Sequence, residues 1–215
     1  MVYSLPYFSG RYFRPTFLTV FGITNTELGD MFALYGLLAM LSYLPGGYLA
    51  DLFSTRKLIT GSMITTALGG LYMAQIPDKF GMTLLFGYWG ISSTLLLWAA
   101  IIKATRDWGG ETTQGRAFGF MDGGRGFMAA FFGSIGTFIL AFYLPSEMKI
   151  IDPEQRTNGM VAIIYLYTAL TFTGGILVWF IIPHSIQQTP RESKRISLLG
   201  IIDVIKDPKV WGKGM

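Results

Sequence analysis

Apolar residues fill long uninterrupted stretches of this chain, and each stretch ends at a short cluster of glycine, proline or charge. A bilayer core about 30 Å thick needs about 20 apolar residues in helical form. Leu28 to Ala50, Leu58 to Ile76, Met82 to Ile102, Gln114 to Leu144 and Met160 to Ile182 all supply that length. Before them, "YSLPYFSGRYFRPTFLTVFGI" is apolar and aromatic but carries Arg11 and Arg14. It predicts a first membrane helix that lacks its inner end or begins very abruptly. It is not a signal peptide, having neither a basic leader nor an uninterrupted apolar run.

The pattern therefore predicts an all-α, polytopic membrane protein of six transmembrane helices, with breaks after Thr24, Asp51, Pro77, Lys103 and Pro145. Residues 1–182 form the bundle and 183–215 a polar tail. Within that tail Ile196, Leu198, Leu199, Ile202 and Ile205 follow basic residues at close to helical spacing, which predicts a short amphipathic helix on the membrane face. "DPKVW" then reads as the capped start of another helix, so the chain has the look of a truncated protein.

Composition agrees. Hydrophobic residues make up 51% of the 215 and charged ones 14%, too few charges to coat a water-soluble globule of this size. With no cysteine and a single histidine, His184, neither disulfides nor a Cys/His metal centre is expected, and no cofactor is called for. The net charge of +4 does not point to nucleic acid, because the basic residues sit in the breaks rather than on one periodic face. The breaks after Asp51 and Lys103, with the tail, hold Arg56, Lys57, Lys103, Arg106, Arg116 and six further Lys or Arg residues. The alternate breaks hold Lys79, Lys149 and Arg156, outnumbered by acidic residues. The positive-inside rule then places both termini in the cytoplasm and the chain in the cell (inner or plasma) membrane.

"PGGYLADLFSTRKLI", Pro45 to Ile59, sets an aspartate beside an arginine and a lysine between two apolar runs. Asp51 falls at the C-terminal end of its helix, where the helix dipole disfavours a carboxylate, so a positive partner is expected. Arg56 and Lys57 are near enough across a tight turn, and another helix N-terminus would also serve. Gly46 and Gly47 are expected to let two helices approach closely. "GGYLADLFSTRK" resembles the loop between the second and third helices of the major facilitator superfamily, with Gly47, Asp51, Arg56 and Lys57 matching. Leu52 stands where a basic residue is usual and Ser54 where a glycine is usual. The resemblance implies the N-terminal six-helix half of that fold, a gating role for these four residues, and a C-terminal six-helix half as partner. The other reading of the loop is an ordinary solvated turn.

A charge in the bilayer interior costs several kcal/mol on most scales, roughly 2.5 or more, and marks a functional hypothesis. Arg11 lies ten residues before Phe21, which puts it about 15 Å deep, near the midplane. Its guanidinium is permanently charged and offers a planar fork to carboxylate or phosphate. "YFSGR", with Tyr7 four residues before Arg11 and Pro15 beyond, is similar to the first helix of the organophosphate antiporters and anion:cation symporters. That likeness implies that Arg11, with Arg14 close by, binds a substrate's anionic group.

"QGRAFGFMDGGRGFMAAFFGSIG" supplies a second constellation. Gly115, Gly119 and Gly123 share one helical face and predict close packing. Asp122 and Arg125, three apart, can neutralise each other. The pair is either a proton-coupling carboxylate beside a substrate-binding arginine or an internal ion pair that serves packing. Tyr7, Tyr35, Trp89 and Trp98 are candidates to stack on an organic substrate, or else fill core. Lys103 and Arg106, in a passage that resembles organophosphate carriers, line the inner mouth or mark the membrane edge.

These residues predict a secondary transporter of a small organic anion working by alternating access, or an inactive or split half-transporter that needs a partner half. An intramembrane enzyme is not expected, since no nucleophile and base or metal-ligand cluster is apparent.

Overall fold

The computed structural model describes residues 3–143 and 152–182. These form six helices in alternating directions, and no strand occurs among the described residues. The amphipathic helix and the helix start expected after Pro183 lie outside the described residues.

Helix α1, residues 4–21, is broken. Ser4–Phe8 is wound with five-residue hydrogen-bond spacing, Ser9–Tyr12 returns to an α-turn, and Phe13 (φ −110°, ψ 30°) interrupts the helix before Arg14–Phe21. Pro15 explains the interruption, because it has no N–H to give the Arg11 carbonyl and its ring crowds that turn. Gly22, at φ +60°, ends the helix in the left-handed conformation that glycine adopts without strain.

Helix α2, Asn25–Leu52, starts on a complete capping box: Thr24 accepts from the Glu27 N–H, and Glu27 accepts from the Thr24 N–H. Helix α3 spans Thr55–Met73 and α4 spans Lys79–Gly109, the latter relaxing to five-residue spacing over Thr94–Trp98. Helices α5 (Gln114–Tyr143) and α6 (Pro153–Ile181) complete the bundle. By length and apolarity α2, α4, α5 and α6 can each cross a membrane. The chain is an all-α polytopic membrane protein. All six overlap the apolar stretches read from the sequence, and α2, α4 and α6 start three to seven residues earlier, on caps at Thr24, Asp78 and Asp152. The third ends earlier, at Met73, with Ile76 in a left-handed turn (φ 52°).

Small residues set the closest contacts. A Cβ on Gly90 would come 2.5 Å from the Tyr35 carbonyl oxygen, and one on Gly46 would come 2.9 Å from that of Leu95, so α2 and α4 touch backbone to backbone. The close approach expected at Gly46 and Gly47 is thus made by Gly46 alone, since Gly47 faces open space. Helices α3 and α6 run antiparallel, with Thr60 Oγ1 donating to the Gly175 carbonyl (3.3 Å). The core between them and α1 holds Leu5, Phe17, Met73, Phe86, Trp89, Met160 and Tyr167, all buried. Trp89, an expected stacking candidate, is core: its indole N–H donates to the Thr66 carbonyl (3.1 Å) and Gly69 leaves room for its ring.

The glycine face of α5 is open among the described residues. Cβ atoms on Gly115, Gly119 or Gly123 would meet nothing within 4 Å, so no described helix packs on that face.

In the loop from Gly47 to Lys57, Asp51 is exposed and pairs with neither Arg56 nor Lys57; the ion pairs among the described residues are Glu27–Lys79 and Asp122–Arg125. Arg56 is drawn instead to the C-terminal turn of α6. Its guanidinium lies 4.5 Å above the Trp179 ring and donates to the Trp179 carbonyl (3.4 Å). A cation over an aromatic face and at a helix C-terminus gains from both the ring quadrupole and the helix dipole. The positive group at the end of α2 is Lys103, whose ammonium donates to the Ala50 carbonyl oxygen (2.7 Å). Lys103 therefore crosses from α4 to α2 rather than only lining an inner mouth.

Candidate functional site

The broken α1 decides where its arginines go. Arg11 lies in the short α-turn between the wide-wound start of the helix and the Phe13 break, and it is exposed. Arg14, three residues on and past the break, turns to the other end of the helix, where its Nε donates to Asn25 Oδ1 at the start of α2 (2.7 Å). The break thus separates the two guanidinium groups, with Arg14 held at the start of α2.

Next to Arg11, the Tyr7 ring stacks on Phe32 (5.3 Å between centroids) and stands edge-on to Tyr35 (4.9 Å) and Tyr3 (6.1 Å). Tyr7 is half-buried and has Arg11 and Tyr43 within electrostatic reach. Tyr35 is 3% exposed, and its hydroxyl is hydrogen-bonded to Ser93 Oγ (2.6 Å). Ser93 in turn donates to the Trp89 carbonyl. In this conformation Tyr35 is a buried strut under Tyr7 and does not touch the open face.

Trp98, in the wide-wound part of α4, is half-buried. It meets the Tyr43 ring edge-on (6.4 Å), and the Arg125 guanidinium lies 5.7 Å above its ring. Arg125 NH1 also donates to Asp122 Oδ1 (3.1 Å), with side chains 48% and 65% exposed, so this ion pair is open rather than sealed in the bundle. Tyr3 has both Tyr43 and Arg125 within reach. Tyr3 (just before α1), Tyr7 (α1), Tyr43 (α2), Trp98 (α4), and Asp122 and Arg125 (α5) thus form one cluster, and Arg11 lies one helical turn beyond Tyr7 on α1.

Arg11 is about 15 Å from the Phe21 end of α1 and Asp122 about 12 Å from the Gln114 end of α5, at 1.5 Å per residue. Because Tyr12 and Phe13 pack at Gly133 and Gly136, Arg11 lies further along α5 than the Asp122–Arg125 pair. The cluster offers the Arg125 guanidinium fork, one carboxylate and four aromatic rings, with the Arg11 guanidinium a turn beyond Tyr7. It is suited to a small anionic molecule with a ring or chain to stack. No group of His, Cys, Asp and Glu able to hold a metal ion occurs among the described residues.

Tyr3 and Tyr43 were missed in the sequence. Tyr3, Tyr7 and Arg11 recur every four residues, a helical stripe that held the signal for Tyr3. Tyr43 has no such local mark, because only its packing against Trp98 across two helices reveals it.

A family model described as Major Facilitator Superfamily matches residues 2–214. Inner membrane protein YqcE of Escherichia coli (strain K12) is 32% identical over 193 residues, 88% of this chain and 43% of that protein. Inner membrane protein YihN of the same strain is 21% identical over 214 residues, 98% of this chain and 48% of that protein. The uncharacterized protein MG294 homolog of Mycoplasma pneumoniae is 25% identical over 208 residues. The chain spans about half the length of the curated relatives it matches. No solved structure matches it.

Proposed function

The chain belongs to the Major Facilitator Superfamily and is a multi-pass membrane protein, and on that premise we propose that it forms one half of a secondary transporter for a small organic anion. A sugar acid, a sugar phosphate or a carboxylate fits the chemistry of the cluster. Residues 1–182 are the moving bundle and 183–215 the linker to a second six-helix body, with both termini in the cytoplasm. The two bodies rock about a site at the membrane midplane.

The observation that carries this reading is Arg11. It is an exposed guanidinium about 15 Å along its helix, and it has no carboxylate partner among the described residues. A permanent charge held there unpaired is costly unless it meets water and an anionic ligand. Tyr7, Tyr43 and Trp98 stack on the ligand's carbon skeleton, Arg125 supplies a second fork of donors, and Asp122 exchanges the coupled proton. Gly115, Gly119 and Gly123 receive a helix of the second body. Asp51 and Lys57, with Gly47 beside them, stay free to engage that body at the gate, while Arg56 ties α3 to α6.

A second reading is a half-transporter that works only with a separately made partner half. It is favoured by the match to about half of each relative's length. Both readings describe transport rather than catalysis.

The test is uptake of a panel of labelled organic anions by cells expressing this bundle joined to, or together with, a second six-helix body. Arg11→Gln should abolish uptake of the transported anion while leaving the protein in the membrane. Unchanged uptake would remove Arg11 from the site and the anion from the proposal.

A further inference from the structure

The outer surface of α5 carries two different faces. At 100° per residue, Phe120, Phe127, Phe131 and Phe138 fall in one stripe, on the opposite side of the helix from Asp122 and Arg125 and about a quarter-turn from Gly115, Gly119 and Gly123. These phenylalanines are 50–76% exposed. The phenylalanine stripe is therefore an exposed apolar side of the helix, separate from the polar cluster. At the basic end of the bundle the stripe runs into a cavity of about 210 Å³ between the end of α4 and the start of α5.

Trp108, Gly109, Thr113, Arg116, Ala117 and Phe120 line that cavity. The Trp108 and Phe120 rings meet edge-on (6.2 Å) and form its apolar wall. Trp108 is 71% exposed in the last turn of α4, where an amphipathic ring belongs at headgroup level. Thr113 Oγ1 is turned inward and donates to the Gly109 carbonyl (2.6 Å), so Arg116 is the cation the lining presents. Arg116 has no ion pair among the described residues, although Asp107 and Glu111 are both exposed nearby. The cavity holds the volume of about seven water molecules, at about 30 Å³ each, enough for a phosphodiester.

We propose that this cavity binds one membrane phospholipid, its phosphodiester on the Arg116 guanidinium between Trp108 and Phe120, and an acyl chain along Phe120, Phe127 and Phe131. The guanidinium fork matches phosphate oxygens bidentately. Basic pockets between membrane helices are suited to phosphate headgroups. The rings supply an apolar wall where the glycerol and the first methylenes leave the headgroup.

Native mass spectrometry on the purified chain, titrated with phosphatidylglycerol or with diacylglycerol of the same acyl chains, tests the assignment. The wild-type chain should retain one phosphatidylglycerol and no diacylglycerol. Arg116→Gln should weaken retention about tenfold, Arg116→Lys should restore part of it, and Arg106→Gln should leave it unchanged. Circular dichroism on each variant separates loss of the site from loss of the fold. Millimolar glycerol phosphate should not displace the lipid. Equal retention of diacylglycerol, equal losses in Arg106→Gln and Arg116→Gln, displacement by glycerol phosphate, or full retention by a folded Arg116→Gln chain would each overturn the site.

Discussion

Lys103 lays its ammonium 2.7 Å from the carbonyl oxygen of Ala50, one residue before Asp51. The partial negative charge at the end of α2 is thus met by a cation from α4 and not by the neighbouring Arg56 or Lys57. Lys103→Met should lower stability by about 1 to 2 kcal/mol, the value of a charged hydrogen bond at a helix C-terminus. Lys57→Met, which removes an exposed cation, should change it by under about 0.5 kcal/mol. Thermal melts of the two variants in detergent check the difference.

Gly90 sits where a Cβ would come 2.5 Å from the Tyr35 carbonyl. Gly90→Ala should force α2 and α4 apart and cost about 1 to 3 kcal/mol, as overpacking does. Gly47→Ala, inside the helix with open space around the Cβ, should leave stability unchanged or raise it by up to about 1 kcal/mol. Thermal melts again make the comparison, and similar costs at the two glycines would contradict the contact.

The Asp122–Arg125 pair is open to its surroundings. Asp122→Asn should therefore shift stability by no more than about 1 kcal/mol. If the carboxylate exchanges the coupled proton, the same change should abolish the dependence of anion uptake on an imposed pH gradient while leaving exchange of anion for anion. Uptake measured with and without the gradient decides it.

Trp98 and Tyr43 stand edge-on beside Arg125. Tyr43→Ala should weaken anion binding about tenfold, in line with about 1 to 1.5 kcal/mol for an aromatic stacking contact. Tyr48→Ala, an exposed tyrosine elsewhere on α2, should leave it unaltered. Ligand-induced shifts in melting temperature report both.

How legible this was in the sequence depended on the range of the interaction. Helix number and order follow from apolar length and from breaks such as Thr24 and Asp78, whose side chains cap the next helix. The Asp122–Arg125 pair was legible because three residues along a helix fixes the geometry. The partners of Arg56 and Arg14 were not, because those contacts join residues 123 apart in Arg56–Trp179 and cross a helix break in Arg14–Asn25. Tyr35 and Trp89 read as cavity aromatics by type, and burial is set by which face of the helix meets a neighbour. The wide-wound turns at Ser4–Phe8 and Thr94–Trp98 shift that face partway along α1 and α4, which no fixed period anticipates.

The proposed function requires position 11 to face a wet, ligand-sized hollow. Because the chain has no cysteine, Arg11→Cys carries a single thiol. Its rate of reaction with a small, charged, membrane-impermeant thiol reagent is the most direct measurement. The thiol should react as readily as that of Tyr43→Cys and far faster than that of Phe138→Cys on the exposed apolar stripe of α5, and the transported anion should slow the first two. An Arg11→Cys thiol as inert as that of Phe138→Cys would contradict the proposed function.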